Sequence, residues 1–287
     1  MTAALDRTLF RLAGPDAARY LNGQLTNDVA ALTPGTSLAA CITNHKGKLD
    51  AAPVYVHRLK QPADTFLVDA PPGLREPLLA RIDRYLIADD CTLDDVSDAF
   101  TVLHSLAPTD TPAGTVHTAT SIRFSTTGCD HIVPTTSAFP DPPSSFELAR
   151  VRTGIPAWGA ELTAGTLPPE AGLDTFAISY AKGCYIGQEV ISRIRSVGRV
   201  NRRLHHILGA TQEIQPGTAL VKTDATDKPA GTVTSVATDP TSNTTFALAY
   251  IDTRSTAPGE KLHPLIAEKI LSSTVEIGNT APDFPAS

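Results

Sequence analysis

One short segment, from Lys182 to Glu189, combines a thiol, a carboxylate, an amide, a phenol and two glycines more tightly than any other stretch of the chain. Gly183 and Gly187 allow the backbone to approach a ligand closely or to adopt a positive φ. A helix that begins near Gln188 would direct free N–H groups and the positive end of its dipole at the same point. The segment therefore predicts a tight turn followed by a helix, with a polar site at their junction.

The distribution of charge makes the same region the best candidate for contact with an anionic ligand. The 287-residue chain has a formal net charge of −6, yet residues 182–203 contain six Lys or Arg and one acidic residue. The overall pI near 5.7 argues against a dedicated nucleic-acid-binding protein, although a local basic patch is compatible with it. Charge alone therefore favours a site for an anion or a heterocycle.

Structural roles for the same residues stay open at this stage. Cys184 is either a functional thiol, whose pKa a helix start and arginines would lower, or a buried core residue. Gln188 suits the amide-like edge of a heterocycle because it both donates and accepts hydrogen bonds. Glu189 and Arg193 lie four residues apart on the predicted helix, so they belong either to the site or to a surface ion pair worth roughly 0.2–0.5 kcal/mol.

Composition and missing motifs exclude several classes of protein. No apolar run approaches the roughly 20 residues that span a bilayer, and we expect no signal peptide because the N-terminus lacks a basic and an apolar segment. The four cysteines form no C-x-x-C pair, so we expect a cytoplasmic protein with reduced thiols and no stably bound metal. Sequence motifs of phosphate-binding loops, dinucleotide-binding folds, zinc proteases and serine hydrolases are absent.

The apolar pattern predicts a mixed α+β protein. Two β-prone runs, Ser37 to Thr43 and Lys48 to Leu59, flank an Asn44-His45-Lys46-Gly47 turn and predict a hairpin. Residues 73–85 have apolar side chains at helical spacing. Residues 107–120 are rich in Pro, Thr, Ala and Gly and are predicted to be a linker. After Gly198, short strands alternate with turn residues, which is typical of a small β-barrel or a β-sandwich.

The segment Lys182-Gly183-Cys184-Tyr185-Ile186-Gly187-Gln188-Glu189 resembles the K-G-C-Y-x-G-Q-E signature of the YgfZ family. This family contains bacterial folate-binding proteins and a mitochondrial iron–sulfur assembly factor. It is related to the T-protein of the glycine cleavage system, a tetrahydrofolate-dependent aminomethyltransferase. Segments within residues 12–29, 44–50, 152–173 and 198–204 also resemble the family, so the resemblance covers most of the chain.

The resemblance implies an α+β fold of three domains arranged as a ring, with folate in a central channel and a small C-terminal β-barrel. We expect a discontinuous folate-binding domain of residues 1–50 and 116–198. An α+β domain is expected to be inserted at residues 51–115, and the C-terminal β-barrel domain to comprise residues 199–287. Composition changes near residues 50, 115 and 198 agree with these boundaries.

The resemblance also implies a tetrahydrofolate-binding protein that supports the assembly or repair of iron–sulfur clusters in client enzymes, including enzymes that modify tRNA. The expected cofactor is tetrahydrofolate or a C1 derivative. The expected partners are iron–sulfur client enzymes or assembly factors, and no membrane. Two alternatives are a folate-dependent aminomethyl or C1 transferase and a factor that binds tRNA directly.

Two departures from the T-protein favour the YgfZ branch over a transferase. Where the T-protein has a Glu within an R-x-E-A-G-like segment, this chain has Arg152-Thr153-Gly154. Of the T-protein's paired aspartates after its hairpin, only Asp50 is present, followed by Ala51. The loss of these carboxylates removes the acid/base groups that aminomethyl transfer needs.

The candidate site residues combine the resemblance with residue chemistry. Cys184 is the expected functional thiol, with a role in redox, C1 or cluster chemistry. The other signature residues expected at the site are Lys182, Gly183, Tyr185, Gly187, Gln188, Glu189 and Arg193. The expected folate-binding residues are Asn27, Asn44, Asp50, Tyr55, Trp158 and Arg199. Of these, Trp158 could stack on a pterin or lie in a core, and Arg199 would meet the glutamyl tail.

Overall fold

Three antiparallel sheets form the framework of the protein in the computed structural model, which describes residues 2–135, 140–224, 228–254, 256–267 and 269–280. Within these residues the strands are β1 (Thr2–Leu5), β2 (Thr8–Ala13), β3 (Ser37–Thr43), β4 (Leu49–Arg58), β5 (Thr65–Ala70), β6 (Thr92–Asp95), β7 (Phe100–Ser105), β8 (His117–Ser121), β9 (Gly128–Pro134), β10 (Arg202–Leu208), β11 (Ala219–Val221), β12 (Gly231–Thr238), β13 (Thr245–Asp252), β14 (Lys261–Ile266), β15 (Lys269–Ile270) and β16 (Val275–Ile277). The α-helices are α1 (Ala17–Gln24), α2 (Arg75–Asp83), α3 (Ser144–Thr153) and α4 (Gln188–Val197), and 3₁₀ turns occur at Pro168–Ala171 and Leu173–Thr175.

The first sheet has the strand order β3-β4-β5-β2-β6 and contains the predicted hairpin. The Asn44 N–H donates to the Lys48 carbonyl at 2.9 Å, and Gly47 has a φ of +69°. Because glycine adopts a positive φ without a steric penalty, the Asn-x-x-Gly sequence closes the turn between β3 and β4. The hairpin prediction is confirmed.

Both faces of this sheet are covered. Helices α1 and α2 pack on one face, where Phe10, Leu21 and Phe66 are fully buried. Residues on the opposite face of β3 and β4, among them Cys41 and Leu49, pack against residues 151–177 and against the C-terminal strands. Burial on both faces explains why β4 reads as a continuous apolar run rather than as an alternating pattern.

The second sheet has the order β1-β7-β9-β8, and three of its strands, β1, β8 and β9, were not predicted. The linker predicted at residues 107–120 is wrong in its last part, because β8 begins at His117 and pairs with β9 from His117 to Ser121. β1 and β8 are the two edge strands of the sheet, and edge strands are short and need less apolar sequence. The sequence of β1 is Thr-Ala-Ala-Leu and that of β8 is His-Thr-Ala-Thr-Ser. Neither has the alternating apolar pattern by which a strand is recognised.

The third sheet closes into the predicted barrel. Its order is β11-β12-β13-β10-β16-β14-β15, and an additional β11–β14 pairing completes the ring of six strands. Arg150 on α3 connects the barrel to the rest of the chain. Its guanidinium donates to Glu161 at 2.9 Å and to the Ser235 hydroxyl of β12 at 2.6 Å. The α+β fold with a C-terminal barrel is confirmed.

The strand pairings relate to the predicted domain boundaries in different ways. Residues 50 and 51 lie inside β4, and residues 115 and 116 lie between β7 and β8 of one sheet. Residues 198 and 199 lie between α4 and β10, where the barrel begins. The three-domain division at these residues stays a prediction.

A buried group of charged side chains joins the first sheet to the second. Arg123, between β8 and β9, forms ion pairs with Asp69 on β5 and with Asp130 on β9, the latter with a 2.8 Å distance from Nε to Oδ2. Asp69 also binds Arg7. Close to this group, the Ser37 hydroxyl bonds to His57 Nδ1 at 2.7 Å and to His117 Nε2 at 2.8 Å. Burial, together with nearby His57, lowers the pKa of His117 to about 3.

Acidification should lower the free energy of unfolding from about pH 6.5 downward. His117 takes up a proton near pH 6.5 in the unfolded chain but only near pH 3 in the folded protein. Between these values the unfolded state binds more protons, so stability rises with pH by up to about 1.4 kcal/mol per pH unit from this group. This contribution is lost as the pH falls from 6.5 and levels off below pH 3.

Urea unfolding at pH 7, 6, 5 and 4 measures this slope. His117→Gln should have a flatter pH dependence than the unsubstituted protein, because its side chain does not titrate. His45→Gln, which changes an exposed turn residue, serves as the matched control and should keep the original slope. An unchanged slope in His117→Gln would contradict the assignment of the acid sensitivity to His117.

Candidate functional site

Lys182, the first signature residue, holds a loop of the first sheet in place. Its ammonium donates to the carbonyls of Asn22, Leu25 and Asn27 at 2.6, 2.7 and 2.7 Å. All three ammonium donors are therefore used, and the side chain is buried. Burial lowers the pKa of Lys182 to about 8. This lysine fixes the backbone that connects α1 to β3, so its role within the molecule is to position other residues.

Two glycines allow the β3–β4 hairpin to touch the start of α4. Gly187 has a φ of +88°, and a Cβ at this position would lie 2.5 Å from the Asn44 carbonyl oxygen. Across the contact, a Cβ on Gly47 would lie 3.0 Å from the Val190 side chain. The Thr43 hydroxyl adds a 2.6 Å hydrogen bond to the Ile186 carbonyl. The second glycine of the signature is thus required by a close approach of two backbones.

The signature places one thiol at the surface. Cys184 is exposed, whereas its neighbour Tyr185 is buried against Ile178 and Ile191. The Lys182 ammonium lies 5.3 Å from the centre of the Tyr185 ring. Cys41, in contrast, is buried on β3, and burial raises the pKa of its thiol to about 12. Of these two thiols, Cys184 is the one that a reagent or a partner protein can reach.

The first turn of α4 carries an ion pair on its surface. Glu189 Oε1 lies 2.7 Å from Arg193 Nη2, and the two side chains are 84% and 68% exposed. An exposed pair of this kind contributes little to stability. Gln188 is half-buried at the first position of the helix. None of these three residues lines the cavities described below.

A cavity of about 310 Å³ lies between β3, the end of β8 and the chain at Thr175 and Phe176. We call it the Asn27–Tyr55 cavity, and its lining residues are Asn27, Ser37, Leu38, Ala39, Tyr55, Thr120, Ser121, Ile122, Thr126, Thr175 and Phe176. The Asn27 amide donates to the carbonyls of Ala39 at 2.8 Å and Phe176 at 3.2 Å. Ser121 contributes a buried hydroxyl that has no hydrogen-bond partner among the described residues.

Tyr55 separates this cavity from a second one. The Arg123 guanidinium lies 3.7 Å from the centre of the Tyr55 ring, and burial raises the pKa of the tyrosine. Tyr55, Arg7 and Arg123 line the second cavity, which has a volume of about 280 Å³. The charged group that joins the two sheets thus fixes the wall between the two cavities. Sequence reasoning missed Arg123, Ser121 and Phe176, because no motif or spacing distinguishes them.

The other predicted folate-binding residues lie apart from this cavity. Asn44 closes its own turn, since Oδ1 accepts from the backbone N–H groups of Lys46 and Lys48 at 2.9 and 3.3 Å. Asp50 Oδ2 lies 3.5 Å from Arg81 Nε. Trp158 is half-buried and packs against the hydrophobic cluster that contains Leu162 and Leu173.

Arg199, the last predicted folate-binding residue, lines a third cavity beside α4. The structure therefore brings together Asn27 and Tyr55 but not the other predicted contacts. It links Asn27 to the signature in a different way, because Lys182 binds the carbonyl of Asn27. The lysine thus holds the backbone of an asparagine that lies 155 positions earlier in the chain.

Possible metal ligands cluster at one place among the described residues. One ligand atom each from His57, Asp69 and Asp130 lies within 4.8 Å of the others. Both carboxylates already bind Arg123, so a guanidinium supplies the positive charge that a metal would bring. The cysteines lie in different elements, with Cys41 on β3 and Cys129 on β9.

The contact between the two glycines predicts a sharp difference between two substitutions in the signature. Gly187→Ala should lower the free energy of unfolding by roughly 1–3 kcal/mol, because the new Cβ meets the Asn44 carbonyl and the backbone φ is positive. Gly183→Ala is the matched control, since a Cβ there has no neighbour within 4 Å. Urea unfolding of both variants checks this, and equal stabilities would contradict the close approach.

Comparison with known proteins gives relatives of two kinds. No protein-family profile matches the chain. The chain is 28% identical over 221 residues to an iron–sulfur cluster assembly factor, a mitochondrial IBA57 homolog of Pyricularia oryzae, covering 71% of this chain and 56% of that protein. It is 25% identical over 241 residues to the tRNA-modifying protein YgfZ of Cronobacter sakazakii, covering 74% of this chain and 72% of that protein.

A solved structure confirms the predicted fold. The glycine cleavage system aminomethyltransferase T of Bartonella henselae superposes with a TM-score of 0.79 at 16% identity, over 97% of this chain and 84% of that chain. The predicted resemblance to the YgfZ family and to the T-protein fold is confirmed. The chain spans about half the length of the fungal relatives it matches. In the described part of the chain, no helix has the length and apolar character needed to cross a membrane.

Proposed function

We propose that this protein binds a tetrahydrofolate in the Asn27–Tyr55 cavity and supports the assembly or repair of iron–sulfur clusters in client enzymes. The names of the two relatives support the iron–sulfur role and its link to tRNA-modifying enzymes. One observation carries the proposal. The Lys182 ammonium of the signature donates a hydrogen bond to the carbonyl of Asn27, and Asn27 also lines the cavity. The position of the signature and the shape of the cavity therefore depend on the same loop.

The chemistry of the cavity fits a folate ring. Its volume of about 310 Å³ lies in the range of small-molecule sites. Tyr55 and Phe176 supply aromatic surface for a flat heterocycle. The Ser121 hydroxyl is buried without a partner, and such a group gains stability when a ligand atom completes its hydrogen bond. A pterin presents both donors and acceptors along its edge, so it can meet this hydroxyl.

The cavity supports binding better than acid/base catalysis. None of its described lining residues is a carboxylic acid or a thiol. Asp50 pairs with Arg81, and the Thr153 hydroxyl donates to backbone carbonyls, including that of Phe124 at 3.0 Å. Because proton transfer at folate needs a positioned acid or base, the folate-dependent C1 transferase is the weaker candidate. In our proposal the folate is held rather than converted by residues of this cavity.

Direct binding of tRNA by the basic stretch of residues 182–203 is also a weaker candidate function. Arg193 pairs with Glu189, and Arg202 Nε donates to Glu170 at 3.1 Å. The chain as a whole has a formal charge of −6, which opposes a polyanion. We propose that any effect on tRNA modification passes through the iron–sulfur enzymes that perform it.

Cys184 is the residue that we assign to the encounter with client enzymes or assembly factors. It is exposed, and the backbone on both sides of it is held by the buried Lys182 and Tyr185. The thiol is therefore presented to a partner at the surface while the folate lies inside. The four free thiols fit a reducing compartment, which supports our proposal that the protein works in the cytoplasm.

Blocking the cavity should weaken folate binding without changing the fold. Thr126 is exposed and lines the cavity, so Thr126→Trp fills space at its edge. Isothermal titration with tetrahydrofolate under anaerobic conditions should give a Kd at least about tenfold weaker, a loss of about 1.4 kcal/mol. Thr127→Trp, at an exposed neighbour outside the lining, is the control and should bind normally. Equal affinities for both variants would place folate elsewhere.

The thiol should be needed for cluster supply but not for folate binding. In cells that lack their own counterpart of this protein, the unsubstituted chain should restore the activity of iron–sulfur enzymes, and Cys184→Ala should restore much less. Cys91→Ala, at a half-buried thiol distant in sequence from the signature, is the control. Full restoration by Cys184→Ala, with tetrahydrofolate binding intact, would remove Cys184 from the proposal.

A further inference from the structure

The third cavity has a composition unlike the other two. It has a volume of about 430 Å³ and lies between the end of α4 and the start of β10. Three arginines line it, Arg195, Arg199 and Arg203, together with Asp174 and Tyr180. The cation-rich stretch seen in the sequence therefore collects half of its six cations around one concave surface.

Arg193 and Arg202 of this stretch pair with Glu189 and Glu170. The three arginines in the cavity keep N–H donors that have no hydrogen-bond acceptor among the described residues. Arg195 stacks on Tyr180, with 3.9 Å from its guanidinium carbon to the ring centre. Arg199 is exposed, and its guanidinium has no ion-pair or hydrogen-bond partner among the described residues. Arg203 Nη2 lies 3.6 Å from Asp174 Oδ2, and its buried Nε has no partner in the described part of the chain. Donors thus remain available from at least two guanidiniums.

The balance of charge at this surface is positive. Three guanidiniums and one carboxylate give a formal charge of +2 among the charged lining residues. The C-terminal end of α4 contributes a partial negative charge of about one half, which leaves the surface cationic. Burial raises the pKa of Asp174, so the opposing carboxylate is protonated more readily than an exposed one. Positive charge in excess of the carboxylate that faces it favours a bound anion.

We propose that this cavity binds the phosphate group of a small phosphorylated molecule through Arg195, Arg199 and Arg203. A phosphate monoester carries about −1.5 to −2 charges at neutral pH, which matches the charge of the lining. The apolar residues Pro169, Ile194 and Val200 can contact the remainder of the ligand. The volume suits a small molecule. This site is additional to the folate cavity and does not depend on it.

Two other anions fit less well. A nucleic acid backbone is a polyanion, and the protein outside this cavity is strongly acidic, with a chain total of −6. A folate glutamyl tail would have to pass the chain at residues 174–176, because Asp174 lines this cavity whereas Thr175 and Phe176 line the Asn27–Tyr55 cavity. Both remain outcomes that the experiment can detect.

Titration with inorganic pyrophosphate at low ionic strength tests the proposal. The unsubstituted protein should show saturable binding, and Arg195→Gln and Arg199→Gln should each weaken it at least about tenfold, because each removes a charge-assisted contact. Both side chains are exposed, so their loss should leave the fold intact. Arg193→Gln is the matched control, since it removes an arginine of the same helix that pairs with Glu189 outside the cavity.

Asp174→Asn should act in the opposite direction. Removal of this carboxylate, which is the only one among the described lining residues, should tighten pyrophosphate binding several-fold, an effect that general loss of structure would not produce. Absence of saturable binding, equal weakening by Arg193→Gln, or weaker binding by Asp174→Asn would overturn the proposal. So would loss of tetrahydrofolate binding in Arg199→Gln with pyrophosphate binding unchanged, or displacement of pyrophosphate by stoichiometric tRNA.

Discussion

The buried guanidinium of Arg123 is the group on which the arrangement of the two N-terminal sheets depends. It neutralises Asp69 on one sheet and Asp130 on the other, and it covers the ring of Tyr55. Removal of one partner from such a pair leaves a buried charge uncompensated, at a cost of roughly 3–5 kcal/mol. Apolar contacts between Leu9, Leu67 and Ile132 fill the space beside it but have no direction of their own. The ion pairs therefore determine the register at which the sheets meet.

The shape of the Asn27–Tyr55 cavity follows from this junction. Tyr55 lines the cavity, and the Arg123 guanidinium lies against its ring. Asn27, another lining residue, is held by a hydrogen bond to Ala39 and by the lysine of the signature. Two charged side chains far apart in the sequence, one arginine and one lysine, thus hold two residues that line one cavity. Both act through the backbone or ring of a neighbour, and neither is itself required to touch the ligand.

Local sequence patterns predicted much of the fold. The Asn-x-x-Gly turn and its flanking apolar runs predicted β3 and β4 almost to the residue, and turn residues at short intervals predicted the barrel. Edge strands β1 and β8 were missed, because half-exposed strands of small and polar residues resemble loops. The cavity was predicted only in part. Asn27 and Tyr55 line it, but Ser121 and Phe176 reach it through long-range packing that no local pattern encodes.

The signature shows the same division between local chemistry and long-range structure. Its density of functional groups suggested a single site, yet Lys182 and Tyr185 are buried and Gly187 is required by a close approach. Cys184 is the thiol of the segment and is exposed. Neighbouring residues of one short motif thus have different roles, some structural and one exposed at the surface.

The hydrogen bonds around the signature loop have a consequence for how a partner would meet the thiol. The Ile186 N–H donates to Gly23, the Ile186 carbonyl accepts from Thr43, and Lys182 closes the other end. The five residues from Lys182 to Ile186 are therefore tethered at both ends, to α1 and the loop after it and to the end of β3. Ordering a free loop on association costs conformational entropy, and a loop that is ordered beforehand avoids that loss. Cys184 is pre-organised, so an encounter with it can be brief and weak and still be stereospecific.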